Sequence, residues 1–113
     1  MRPLILALCL SILAAPALAD WRYCLARGPH RTVYVSAPFS SLETLDRLGT
    51  AFAQELDRER HAHDPVQCPR AEEAASLRAM RHSALRFNRE EGETIVELDW
   101  LPERDARTAG TRP

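Results

Sequence analysis

WRYCLARGPHRTVYVS, residues 21–36, decides the fold, because it contains two strand-like segments around a turn. In residues 21–27 large apolar side chains alternate with other residues, and residues 32–36 are dense in β-branched and aromatic side chains. Both patterns are typical of β-strands. A Gly-Pro pair between them indicates a turn, which at residues 28–31 is longer than the tightest two-residue connection. The stretch therefore predicts an antiparallel hairpin.

A first helix is predicted after the hairpin. Ser40 and Glu43 have the spacing of a capping box, which satisfies unpaired amide donors at a helix start. Apolar residues then recur at the period of one helical face: Leu42, Leu45, Leu48, Phe52 and Leu56. We expect this helix to end near Ala62, because Pro65 disfavours helical geometry in the residue before it.

A second helix is predicted to begin at Pro69 or Arg70, since proline is tolerated in the first helical turn. Glycine is a natural C-terminal stop, so Gly92 marks the end of this helix. Its spacing predicts a buried face made of Ala74, Leu77, Met80, Ala84 and Phe87.

Apolar and polar residues alternate again over residues 93–101 and predict a third strand with one solvent-exposed face. Apolar residues fall on one face and acidic residues on the other: Val96, Leu98 and Trp100 against Glu97 and Asp99. The order strand, strand, helix, helix, strand indicates an α+β fold, with a small three-stranded antiparallel sheet covered by two helices. We expect a single domain over residues 20–101 and a flexible, polar C-terminal tail at residues 102–113.

The first nineteen residues predict a secretory signal peptide. Arg2 supplies a positive start, residues 4–15 are a nearly unbroken apolar run, and Ala17-Leu18-Ala19 has the small-x-small pattern of a cleavage site. The run is shorter than the roughly 20 residues that span a hydrocarbon core. We therefore expect signal cleavage, no membrane span in the mature chain, and a periplasmic or secreted location.

After cleavage only Cys24 and Cys68 remain, because Cys9 leaves with the signal. A single cysteine pair in an oxidising compartment is ordinarily joined, so the sequence predicts a Cys24–Cys68 disulfide across a separation of 44 residues. In the chain-entropy model such a loop contributes about 4 kcal/mol of stability. The pattern around Tyr23-Cys24, residues 33–36 and Cys68-Pro69 resembles small exported bacterial proteins, a resemblance that assigns no activity.

A competing interpretation makes residues 61–70, HAHDPVQCPR, a metal site. His61 and His63 could converge on a cation from a loop backbone, with Asp64 and Cys68 beside them, and zinc or copper would accept imidazole and thiolate. The spacing matches no regular zinc motif, and a disulfide would occupy Cys68. The third interpretation is a polar, solvated connector, and all three stay open at this point.

The net charge and the distribution of charged residues restrict the classes of partner that this protein could bind. With 15 basic and 16 acidic residues the net charge is −1, so the long-range positive field that gathers nucleic acid is missing and we expect no nucleic-acid partner. On the second helix Arg78, His82, Arg86 and Arg89 fall along one side, with Arg81 near its edge. Guanidinium forks there could dock an acidic partner or a phosphate. The alternative is a solvated helix face paired locally with acidic neighbours.

Catalytic signatures are missing from the sequence. The four glycines are scattered, so they cannot form a phosphate-cradling loop, and neither a nucleophile elbow nor a metalloprotease helix motif occurs. The sequence favours a small exported accessory or binding domain without a cofactor, which acts through its surface on a protein or small ligand of the envelope. The alternatives are a zinc- or copper-binding periplasmic protein using His61 and His63, and a small hydrolase with a site assembled from residues distant in sequence. A buried polar cleft with a serine or carboxylate beside His30 or His82 would support the hydrolase.

Overall fold

The structure is a computed structural model that describes residues 19–102. The predicted signal peptide and the predicted tail lie outside the described residues, except for Ala19 and Pro102 at their boundaries, and stay predictions. Within residues 19–102 no helix is long and apolar enough to cross a membrane.

The described chain forms two helices and six short strands, so the predicted α+β class is confirmed. In chain order the elements are β1 (Asp20–Arg22), β2 (Leu25–Gly28), β3 (Thr32–Ser36), β4 (Phe39–Ser41), α1 (Leu45–Arg58), β5 (Arg70–Ala71), α2 (Ala74–Glu90) and β6 (Thr94–Leu98). The predicted hairpin is confirmed by β2 and β3, which pair antiparallel with Leu25 opposite Val35.

The prediction of one three-stranded antiparallel sheet is wrong. The described strands form two three-stranded sheets, an antiparallel sheet in the order β4-β1-β5 and a mixed sheet in the order β2-β3-β6. In the mixed sheet β6 runs parallel to β3, with Tyr34 opposite Val96. Parallel neighbours need a long crossover connection, and residues 37–93, which include both helices, provide it.

The strand predicted over residues 21–27 is divided between the two sheets at Tyr23 and Cys24, both of which are buried. At this point the Ser36 amide donates to the Cys24 carbonyl oxygen at 2.9 Å, and the Cys24 amide donates to the Ser36 hydroxyl at 2.9 Å. A side chain therefore replaces one bond of the backbone ladder, and β1 leaves the hairpin to pair with β4 and β5.

The mixed sheet lies between the two helices. On the face towards α1, Ala26 and Tyr34 join a core cluster with Leu48, Phe52 and Leu56, and the predicted inner face of the third strand packs against it: Val96, Leu98 and Trp100. On the face towards α2, the buried cluster consists of Tyr23, Val35, Leu77 and Leu85, with Ile95 packed against it. The face of the third strand that was predicted to be solvent-exposed is therefore partly covered by α2, as is usual where a parallel strand pair is flanked by helices.

The start of α1 differs from the prediction. Thr44 is the N-cap, and its hydroxyl accepts a hydrogen bond from the Arg47 amide at 3.3 Å. The capping box predicted from Ser40 and Glu43 is wrong, because Ser40 belongs to β4. The predicted apolar stripe is buried at Leu48, Phe52 and Leu56 and exposed at Leu42 and Leu45.

Both helices are shorter than predicted. α1 ends at Arg58 rather than near Ala62. α2 begins at Ala74, because Arg70 pairs with β1 as part of β5. The predicted stop is confirmed, since α2 ends at Glu90 and Gly92 adopts a φ of 85°, which glycine reaches without strain.

The buried side of α2 also differs from the prediction. Met80 and Phe87 are 40% and 59% exposed, while Leu85 and Asn88 are buried with Leu77. The apolar periodicity did not predict this orientation of α2, because the inward side includes polar residues that form hydrogen bonds within the fold. The Asn88 side chain donates to the Ala84 carbonyl oxygen at 2.8 Å and accepts from Arg27 at 3.3 Å.

Candidate binding groove on the second helix

A groove of about 370 Å³ runs along one side of α2. Cationic side chains of this helix dominate its lining, which consists of Pro38, Arg78, Arg81, His82, Leu85, Arg89 and Glu97. Helical residues three or four apart are neighbours on the helix surface, so the α2 members form one continuous wall. Pro38 and Glu97 bring the other wall from the β3–β4 connection and from β6. We call this set of residues the arginine groove.

Arg81 forms the inner part of the arginine groove. Its Nε donates to the Ser36 carbonyl oxygen at 3.0 Å, and its Nη2 donates to Glu97 Oε1 at 2.7 Å. The side chain is only 16% exposed. Burial raises the pKa of the nearby Tyr23 phenol, and the positive charge of Arg81 partly opposes that rise. The two hydrogen bonds of Arg81 connect α2 with β3 and β6.

Arg78, His82 and Arg89 form the outer, exposed part. The Arg78 guanidinium lies over the Trp21 ring, 5.9 Å from its centroid, which is within the range of a cation–π contact. Within residues 19–102 neither Arg78 nor Arg89 forms a salt bridge. The one carboxylate in the lining, Glu97, is already bound by Arg81. The arginine groove therefore carries an excess of positive charge.

The predicted row of cationic residues along one side of the second helix is thus only partly right. Arg78, Arg81 and Arg89 line the groove together with His82, but Arg86 does not. Arg86 lies on the outer side of α2, with its Nε 3.8 Å from Glu90 Oε1, a spacing typical of local helix pairs. For Arg86 the alternative interpretation, a solvated helix face, describes the structure.

Three groove residues were missed by the sequence analysis: Pro38, Leu85 and Glu97. Leu77, Arg81 and Leu85 are spaced by four residues and share the inward side of α2. A search for apolar periodicity does not detect this side, because its middle residue is an arginine. Pro38 and Glu97 come from distant parts of the chain. No local pattern connects them with α2.

The cysteine pair is confirmed at disulfide distance, with the two sulfur atoms 2.09 Å apart. Both Cys24 and Cys68 are buried. Next to the pair, Leu25 and Gln67 exchange two backbone hydrogen bonds of 2.8 and 2.9 Å. The connection therefore holds the segment before β5 against the outer edge of β2.

The predicted metal ligands have partners within the protein. His63 Nε2 lies 3.0 Å from Asp57 Oδ1, and its Nδ1 lies 2.8 Å from the Asp64 carbonyl oxygen. His61 stacks on Tyr34 with ring centroids 4.5 Å apart. In the described part of the chain no three His, Cys, Asp or Glu side chains are grouped so that they could hold a metal ion. The metal hypothesis for His61 and His63 stays a prediction.

The hydrolase hypothesis gains no support from the two histidines it named. His30 lies in the β2–β3 turn, where it is exposed and has a φ of 58°. His82 lines the arginine groove, but the lining contains no serine, threonine or cysteine. The carboxylate in the lining, that of Glu97, is bound to Arg81. The residues that line the groove therefore place no hydroxyl or thiol side chain beside His82.

A second depression, of about 460 Å³, lies between α1 and the residues after β6. It contains Trp100 and one arginine, Arg58. Arg58 donates two hydrogen bonds to the Glu55 carboxylate, at 3.1 and 2.5 Å, and this pairing lowers the pKa of Glu55. Its charges are therefore satisfied internally, unlike those of the arginine groove.

Neither a protein-family model, nor a curated protein, nor a solved structure matches this chain.

Proposed function

We propose that this protein is a small exported binding domain that recognises an anionic ligand in the arginine groove. The observation that carries the proposal is the charge imbalance of the groove. Arg78 and Arg89 have no salt-bridge partner within residues 19–102, and the single carboxylate that lines the groove with them is bound to Arg81. Guanidinium groups present planar sets of donors that match carboxylate and phosphate oxygens.

Preorganisation also supports a binding role. Arg78 lies over the Trp21 ring, so this cation is positioned before a ligand arrives, and Arg81 holds the wall of the groove in place through two hydrogen bonds. Side chains that are already positioned lose less conformational entropy on binding. Arg86, in contrast, is exposed and has only a distant contact with Glu90.

Export is supported by the signal-like first nineteen residues and by the cysteine pair at disulfide distance. Disulfides persist in oxidising compartments, and the periplasm and the extracellular space are both of this kind. The ligand is then a molecule of the envelope or its surroundings.

The experiment compares two double variants of the exported, oxidised protein. R78Q/R89Q removes two charges from the arginine groove, and R47Q/R86Q removes two charges from exposed helix positions outside it. Each protein is titrated with inorganic pyrophosphate and with triglutamate, and binding is followed by NMR shifts of the amides in α2.

The unaltered protein should bind at least one of these anions, with shifts concentrated at residues 78–89. R78Q/R89Q should bind at least tenfold more weakly, which corresponds to about 1.4 kcal/mol, while R47Q/R86Q should change the affinity by less than about twofold. Equal losses in both variants would mean that only net charge matters, and the proposal would be abandoned. Absence of any binding by the unaltered protein would have the same consequence.

A further inference from the structure

Within residues 19–102 the mixed sheet has one covered edge and one open edge. In the order β2-β3-β6, the outer edge of β2 is covered, because Leu25 pairs with Gln67 and the Asp64 amide donates to the Arg27 carbonyl oxygen at 2.7 Å. The outer edge of β6 has no strand partner within residues 19–102. An open edge presents unpaired backbone donors and acceptors to any extended chain.

β6 has few of the features that usually protect an edge strand. Proteins block open edges with proline, charged side chains or bulges. The strand TIVEL contains no proline, and its five residues pair with β3 in unbroken register. Its one charged residue, Glu97, is 57% exposed, and its pairing with Arg81 offsets part of its repulsion of an acidic chain.

One residue of β6 also lines the arginine groove. Glu97 belongs to β6 and lines the groove opposite Arg78 and Arg89 of α2. A strand added beside β6 would lie about 4.8 Å further out, and its alternate side chains would project to the side of the sheet that α2 covers. Those side chains would approach the exposed cations of the groove.

We propose that the ligand of the arginine groove is an extended acidic polypeptide segment, which adds to β6 as a fourth strand and sets carboxylates on alternate residues against Arg78, His82 and Arg89. The inference rests on the proposed function and adds the class of ligand to it. Backbone hydrogen bonds to the sheet edge supply affinity, and the side-chain positions supply specificity, as in other cases of strand addition.

The dimensions agree with this mode of binding. Arg78 and Arg89 are about three helical turns apart, or about 16 Å along the helix axis. Alternate residues of a strand are about 6.8 Å apart, so three of them span about 14 Å. A segment with acidic residues at three alternate positions therefore has the length to reach from one end of the groove to the other.

A second copy of this chain fits the same edge less well. Continuous antiparallel pairing of β6 with itself would place both α2 helices, with their exposed arginines, on the same side of the joined sheet. Unneutralised like charges brought together in this way oppose association. Charge complementarity therefore favours an acidic partner.

Three seven-residue peptides, added to the oxidised full chain, test the inference. The first has glutamate at positions 2, 4 and 6 with valine or threonine between. The second has the same side chains but carries N-methyl groups on every backbone amide, which removes its hydrogen-bond donors on both edges. The third has glutamine in place of glutamate. Affinity is measured by fluorescence anisotropy, and hydrogen exchange of the β6 amides is measured with and without peptide.

The first peptide should bind at least tenfold more tightly than either of the others and should slow amide exchange in β6. R78Q/R89Q should reduce its affinity at least tenfold, and R47Q/R86Q should change it less than about twofold. If the N-methylated peptide binds equally well and β6 stays unprotected, strand addition is wrong while anion binding in the groove stands. If neither the peptides nor the small anions bind, the proposed function itself fails. Protection of β6 that rises with protein concentration alone would assign the edge to a second copy and overturn the inference.

Discussion

The two faces of the mixed sheet are built from different kinds of residue. Towards α1 the contacts are apolar, with Phe52 and Leu56 fully buried and Trp100 packed against the Phe52 ring at 5.1 Å between centroids. Towards α2 the helix contributes two buried leucines together with Arg81 and Asn88, which depend on hydrogen bonds. The face towards α1 is stabilised by apolar burial, whereas part of the contact area towards α2 consists of hydrogen bonds that position the side chains of Arg81 and Asn88.

The largest contrast should appear between two phenylalanines. Phe52→Ala empties a fully buried site on the α1 face and should lower the free energy of unfolding by about 3–5 kcal/mol. Phe87→Ala removes a ring that is 59% exposed and should change the same quantity by less than about 0.5 kcal/mol. Urea unfolding followed by circular dichroism measures both. Similar losses in the two variants would show that the outer side of α2 is covered.

Removing the cysteine connection should have the next largest effect. The double variant C24S/C68S should lose about 2–4 kcal/mol of unfolding free energy, because the unfolded chain regains the freedom of a loop with a sequence separation of 44. Unfolding of the unaltered protein with and without reductant provides the same comparison without mutation. Reductant should have no effect on C24S/C68S, and an equal stability of reduced and oxidised protein would contradict the prediction.

A smaller effect is expected from the polar contacts of the α2 face. Arg81→Gln removes a hydrogen bond to the Ser36 carbonyl oxygen and one to Glu97, and should lower the unfolding free energy by about 1–2 kcal/mol. Arg86→Gln, the matched control, should cost less than about 0.5 kcal/mol, because its contact with Glu90 is long and exposed. Equal stability of the two variants would mean that Arg81 does not fasten the helix.

The smallest effect concerns pH. The pKa of His63 is raised chiefly by its hydrogen bond to the Asp64 carbonyl oxygen, with help from Asp57 and against the opposing effect of burial. A raised folded-state pKa means that the protonated ring stabilises the fold fully below the unfolded pKa of about 6.5, and that this contribution is lost as pH rises through the folded pKa. Since Asp57 is 71% exposed, we expect less than about 1 kcal/mol.

His63→Gln should therefore be more destabilising at pH 5.5 than at pH 8.5, as measured by urea unfolding at both values. Asp57→Asn should reduce the same difference, because it removes the carboxylate that lies 3.0 Å from the ring. A larger loss at the higher pH would reverse the sign and refute the assignment.

Much of the local structure could be predicted from the sequence. The β-branched run at residues 32–36, the apolar period from Leu48 to Leu56 and the glycine at position 92 each act over a few residues, and the corresponding elements are present. The pairing of Cys24 with Cys68 followed from chemistry, since two thiols remain in the expected mature chain. The cations of the candidate site were also visible, because residues three and four apart share a helix side.

Only the tertiary structure decided how these elements combine. The division of the first strand at Cys24, the parallel pairing of β6 with β3 and the inward position of Arg81 all depend on hydrogen bonds between residues far apart in the chain. Apolar periodicity places a polar residue outside, yet a buried polar group is tolerated where the fold supplies its partners. The sequence by itself determined the two helices, the hairpin, the last strand and the cysteine pair. Long-range contacts determined the short strands β4 and β5, the sheet order and the groove, because local patterns carry no information about distant partners.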